Sequence, residues 1–137
     1  MIVVSACLAG IKCRYDGKSK HCQKIIELVK QGKAIPVCPE QLGGLPTPRI
    51  PSERKEEKVI TKDGKDVTNN FKLGAEKALQ IAKENNCTEA ILKTKSAACG
   101  FGKIYDGSFS GNLINGNGVF AELLEKNEIA IQTENEI

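Results

Sequence analysis

The chain has 137 residues, 27% of them charged and 40% hydrophobic, with no Trp and a formal net charge of +3. This length fits a single domain, expected over residues 1–137, with its own core. The mild positive charge permits an anionic small molecule but falls short of a dedicated nucleic-acid surface, and no apolar run is long enough for a membrane helix. The N-terminus lacks the basic, apolar and cleavage regions of a secretory signal, so a cytoplasmic protein is expected. In that compartment six cysteines favour metal binding or thiol chemistry over structural disulfides; an intracellular disulfide protein stays open for a hyperthermophilic source. A single histidine, His21, excludes an imidazole-rich zinc site. The absence of any Cys-x2-Cys pair counts against zinc ribbons and knuckles.

Ile2-Val3-Val4 is a short β-branched run that reads as a buried strand. It passes through Ser5-Ala6 to Cys7, then into a glycine-bearing loop with Cys13 and Arg14-Tyr15-Asp16-Gly17. Ser19 is placed to cap a helix in which Cys22, Ile25, Ile26 and Val29 recur at helical spacing and Gln31-Gly32 forms the end. Ala34–Val37 follows as a strand that delivers Cys38, completing a β-α-β unit with two parallel strands and a right-handed crossover. Residues 38–51 hold every proline except Pro36 and the Gly43-Gly44 pair, so no regular element is expected there. Such a loop either builds the site or is a solvated connector. Glu53–Lys58 reads as a solvated charge run, and Val59–Thr61 with Asp66-Val67 around Asp63-Gly64 suggests a small hairpin.

Thr68 or Asn69 can cap the next helix, with Phe71, Ala75, Ala78, Leu79 and Ala82 on one stripe and an end at Asn85-Asn86. Cys87 falls in the turn before a third strand, Ala90–Leu92, which runs through Thr94-Lys95-Ser96 to Cys99. The glycine-rich arm from Gly100 to Gly118 matches neither a Walker loop nor the dinucleotide fingerprint; its glycines serve turns or let backbone approach a ligand. Asn117 can cap a last helix through Val119, Phe120, Leu123 and Leu124, and Ile129–Ile131 supplies a final strand. The order implies a three-layer α/β domain with a mostly parallel sheet of about four strands plus a small hairpin.

Parallel sheets place their ligand crevice outside the carboxyl ends of the strands. If the three strands are neighbours, Cys7, Cys38 and Cys99 converge there. Cys22 belongs to a helix stripe and is assigned to the core, Cys87 sits at the opposite end of the sheet, and Cys13 lies on a loop that could fold back over the site. Three thiolates without histidine suit an iron–sulfur cluster. Four cysteines would complete a [4Fe–4S] cluster for electron transfer, whereas three leave one iron without a protein ligand and able to act as a Lewis acid. Glu40 and Ser96 fall in the same crevice. A carboxylate there can orient or deprotonate water and a hydroxyl can donate a hydrogen bond; the structural alternatives are an exposed loop acid and a turn residue.

The stretches SACLAGIKCRYDG, CPEQLGGLPTPRIPSE, LKTKSAACG and IYDGSFSG resemble, in the same order and over nearly the whole chain, the motifs of the TudS-type thiouracil desulfidases. The resemblance implies a Rossmann-like domain with an oxygen-sensitive [4Fe–4S] cluster on Cys7, Cys38 and Cys99. It further implies redox-neutral removal of sulfur from thiolated uracils, with Glu40 as catalytic acid/base and Ser96 as a catalytic helper. One departure is visible: the third motif commonly reads Ser-Pro-Ser-Cys-Gly, whereas here it is Ser96-Ala97-Ala98-Cys99-Gly100. The expected substrate is a small thiolated nucleobase or nucleotide, with Arg14, Arg49 and Lys103 as candidate phosphate anchors, and the iron–sulfur assembly machinery is an expected partner. The competing reading is an electron-transfer or sulfur-carrier module in which Cys13 supplies a fourth ligand; a metal-free thiol redox protein is a third.

Overall fold

The computed structural model describes all residues, Met1–Ile137. Four short strands, β1 (Ile2–Ser5), β2 (Ala34–Val37), β5 (Glu89–Leu92) and β8 (Ala130–Thr133), form one parallel sheet in the order β2-β1-β5-β8. Alternation along these strands divides their side chains between two faces. Val3, Val37, Ala90 and Leu92 pack with Phe71, Ala75 and Ala78 of α3 (Thr68–Glu84) and with Phe120, Ala121 and Leu124 of α4 (Val119–Lys126). Val4, Ala34 and Ile91 pack on the other face with Ile25 of α1 (Gln23–Lys30). The expected three layers and four-stranded parallel sheet are therefore present.

Several local expectations are corrected. The first helix starts at Gln23, with Cys22 at its N-cap in an extended conformation. Its entry is set upstream: the Lys20 and Cys22 amides donate to the Cys7 and Leu8 carbonyls, which ties residues 20–22 to the 3-10 turn Ala6–Ala9 and leaves Ser19 in the loop. Cys22 is consequently half-buried at the edge of the α1 cluster. The proline-rich segment does contain a regular element, the single helical turn α2 (Pro39–Leu42). Proline at its first position loses no hydrogen bond, because that amide has no intrahelical acceptor.

The charge run at 53–58 is likewise structured. It forms most of an antiparallel hairpin of β3 (Ser52–Lys55) and β4 (Lys58–Thr61), and the Asp63-Gly64 turn adds only a single bridge between Ile60 and Asp66. Arg54, 8% exposed, is satisfied by the carbonyls of Glu56 and Asn117 and by the Glu122 carboxylate of α4. A second hairpin, β6 (Lys103–Tyr105) with β7 (Leu113–Asn115), occupies the glycine-rich arm. Thr68 opens α3 with its hydroxyl accepting from the Val59 amide. Asn117 is drawn to the Gly102 amide, so Gly118 caps α4.

α2 is seated on α3 through two glycines. A Cβ at Gly74 would overlap the Pro39 carbonyl, and one at Gly43 would overlap that of Asn70; the Asn70 side-chain amide donates to the Gly43 carbonyl at 2.9 Å. Alanine at an interior helix position is usually better than glycine by about 1 kcal/mol. Gly74→Ala is expected to reverse that sign, destabilising the protein by about 1–3 kcal/mol through overpacking, as read from the urea midpoint, with Pro39 and Glu40 displaced from their places.

Candidate active site

The chain crosses from β1 to β2 on one side and returns through α3 to β5 on the other, so the direction of winding switches between β1 and β5. Open α/β sheets bind ligands outside the carboxyl ends of their strands at such a point. A cavity of about 590 Å³ lies there, and Cys7, Cys13, Cys38 and Cys99 all line it together with Glu40 and Ser96. Cys7 sits in the 3-10 turn that follows β1, Cys38 directly follows β2, and Cys99 follows β5 by way of residues 93–98. All six cysteines are free thiols. Cys87 is buried among α3 and the start of β5, away from the cavity.

Cys13 is only 2% exposed, and its loop does fold back. The Cys38 sulfur lies 3.8 Å from the Cys13 carbonyl oxygen. The Cys13 thiol beside it is the main influence lowering the Cys38 pKa to about 7, with help from the Gln41 amide of α2 and from Arg49 against the cost of burial. The same thiol, before any other influence, lowers Cys7. Facing both of these sulfurs, Cys13 is itself pushed far up. Burial drives Cys99 well above the ordinary thiol value, only partly offset by the Ser5 hydroxyl.

Arg49 organises the acidic side of the cavity. Its side chain is 6% exposed; Nε donates to Glu40 Oε1 at 3.2 Å, Nη1 to the Pro46 carbonyl and the Thr47 hydroxyl, and Nη2 to the Cys13 carbonyl at 2.8 Å. This guanidinium joins the α2 turn to the Cys13 loop and is committed to that task, so it is not a free phosphate anchor. Lys103 is exposed on β6 and does not line the cavity. Of the three candidate anchors Arg14 alone lines the cavity with no side-chain hydrogen bond to the protein; its buried Nε is ion-paired with the Asp16 carboxylate at 3.4 Å. Ser96 accepts from the Ala98 and Cys99 amides, each at 3.0 Å, so its oxygen fixes the backbone that presents Cys99.

Sequence reasoning left out Lys93, Lys95 and the aromatic residues Tyr15, Tyr105 and Phe109, which also line the cavity. The lysines flank Thr94 and Ser96 and could have been read as its cationic rim; the aromatics carry no spacing signal.

No three His, Cys, Asp or Glu side chains close on a point as a single metal ion requires. Four buried or half-buried thiols around one larger cavity instead fit a polynuclear, thiolate-held group. Fold and site together define a small α/β enzyme domain built around cysteine thiols at a topological switch point. The chain belongs to the 2-thiouracil desulfurase family, whose model matches residues 2–136. It is 45% identical over 147 residues to the uncharacterized protein YbbK of Bacillus subtilis (strain 168), covering 100% of this chain and 97% of that one. Its fold matches the solved structure of the [4Fe-4S]-dependent thiouracil desulfidase TudS with a TM-score of 0.95 and 43% identity, over 99% of this chain and 91% of that chain.

The ordering of the thiols is measurable. In metal-free folded protein at pH 7, iodoacetamide is expected to label Cys38 first and to leave Cys99 unmodified, as mapped by mass spectrometry. Because only the thiolate reacts, the Cys38 rate should fall about tenfold per pH unit once the pH drops well below its lowered pKa.

Proposed function

We propose that the chain catalyses the redox-neutral hydrolysis of a thiolated uracil, either 2- or 4-thiouracil or 4-thiouridine monophosphate, giving the oxo-uracil and hydrosulfide. The observation that supports it best is the gathering of Cys7, Cys38, Cys99 and Glu40 around one cavity in a chain of the 2-thiouracil desulfurase family. Cys7, Cys38 and Cys99 hold a [4Fe–4S] cluster with one iron free of protein ligands, received from the iron–sulfur assembly machinery in the cytoplasm. When bound, the cluster supplies a soft Lewis acid suited to a thiocarbonyl sulfur.

The chain's own groups do the rest. Glu40 Oε1 is fixed by Arg49 while its other oxygen makes no hydrogen bond within the protein, which leaves it free to take a proton from the water that attacks the ring carbon. The Ser96 oxygen is used as an acceptor, but its O–H is free to donate to the substrate. The guanidinium of Arg14 at the cavity wall is the anchor for a nucleotide phosphate. The low net charge of +3 argues against a nucleic-acid substrate.

Anaerobically purified protein is expected to contain about four irons and to release sulfide from thiouracil. Glu40→Gln should lower kcat by about 100-fold or more, the scale of general acid–base catalysis, with the cluster's absorption unchanged. Full activity in that variant would remove Glu40 as the acid/base. The burial of Cys13 in the same cavity favours one other reading, a four-cysteine electron-transfer or sulfur-carrier centre. Cys13→Ser separates the two: iron content survives if Cys13 is not a ligand and is lost if it is.

A further inference from the structure

The chain has only two Tyr, four Phe and no Trp. Phe71 and Phe120 are fully buried in the core, whereas both tyrosines and Phe109 line the cavity. The three cavity aromatics are not equivalent. The face of Tyr15 is covered by the Arg14 guanidinium, 5.6 Å from the ring centroid, and Tyr105 is fixed within β6 opposite Leu113.

Phe109 is held in place at a cost. Its φ is +56°, in the left-handed region that bulky side chains seldom occupy. Such a conformation persists only where the surroundings over-determine it, and it concentrates at ligand sites. Here the surroundings are explicit. Glu53 Oε1 of β3 accepts from the Gly107 and Phe109 amides, each at 3.0 Å. Asp106 accepts from the Ser108 amide, and Gly107 packs so closely on Lys55 that a Cβ would lie 2.7 Å from that side chain's own Cβ. Two hairpins that make no ladder with each other are thus joined by a carboxylate whose effect is to fix one aromatic ring at the cavity wall.

We propose that Phe109 is the stacking surface for the substrate's pyrimidine ring and that Glu53 is its positioning residue. The assignment rests on the desulfuration reading above. A flat π-face recognises the ring of any thiolated pyrimidine without regard to which carbon bears sulfur, so Phe109 governs ring affinity while Cys7, Cys38, Cys99 and Glu40 govern the chemistry.

The test uses anaerobically purified, cluster-loaded protein and two readouts: the Kd of uracil, which carries no sulfur and does not react, and the KM and kcat for thiouracil. Phe109→Leu, which keeps an apolar side chain without the ring, is expected to raise both Kd and KM about tenfold, equivalent to about 1.4 kcal/mol, with kcat and the cluster spectrum little changed. Phe109→Tyr should restore wild-type binding. Glu53→Ala should weaken uracil binding in the same direction, and Glu53→Gln, which keeps an acceptor oxygen, should recover most of it. Unchanged Kd and KM in Phe109→Leu, in a preparation whose wild type desulfurates thiouracil, overturn this assignment alone. A wild type that neither binds uracil nor acts on thiouracil overturns the desulfuration reading and this assignment with it.

Discussion

The site depends on parallel pairing in register. Ile2 pairs with Ala34 and with Glu89, and Ser5 stands opposite Val37, so β1, β2 and β5 all finish at the same sheet edge. Strands of four residues leave no slack. A slip of one residue would reverse which side chains face α1 and which face α3 and α4, and would carry the following segments with it. Because every strand points the same way, the thiols arrive at one edge: Cys38 immediately after Val37, Cys7 two residues beyond Ser5, and Cys99 after residues 93–98, a turn fixed by Ser96.

The parts legible in the sequence are those set by this pairing. The apolar runs at Ile2–Val4, Ala34–Val37 and Ala90–Leu92 and the stripes of α1 and α3 reflect burial against a sheet, and burial is what apolar patterning records. From them followed the three-layer order and the edge shared by Cys7, Cys38 and Cys99. What stayed hidden is held by polar groups acting at long range. Arg54 lies in a run of charges that reads as solvated surface, yet it is buried because Glu122 and the Asn117 carbonyl, both more than 60 residues away, receive it together with the neighbouring Glu56 carbonyl. The place of Cys13 is fixed by Arg49, 36 residues away, and the α2 turn is fixed by the contact of Gly43 and Gly74 with α3. None of these leaves a periodic trace. The resemblance to the TudS-type motifs identified the proline-rich segment as important without showing that its first residues are helical.

The two buried guanidiniums explain how loops can hold a site at the edge of so small a sheet. A thiol on a free loop would be placed poorly. Arg49 and Arg54 each bind carbonyls of separate segments and one carboxylate, using a planar fork of donors that a lysine cannot reproduce. Removing the carboxylate of such a pair would leave the guanidinium charge buried without its counter-ion. The loops are therefore tied more firmly than their apolar content suggests. Arg49 also couples two functions in one group: the same side chain aims Glu40 and fixes the carbonyl beside the Cys13 thiol. The acid/base candidate and the thiol that faces Cys7 and Cys38 are consequently placed relative to one another through the CPE…PR segment. This accounts for why that segment combines a cysteine, a carboxylate and an arginine with stiffening prolines between them.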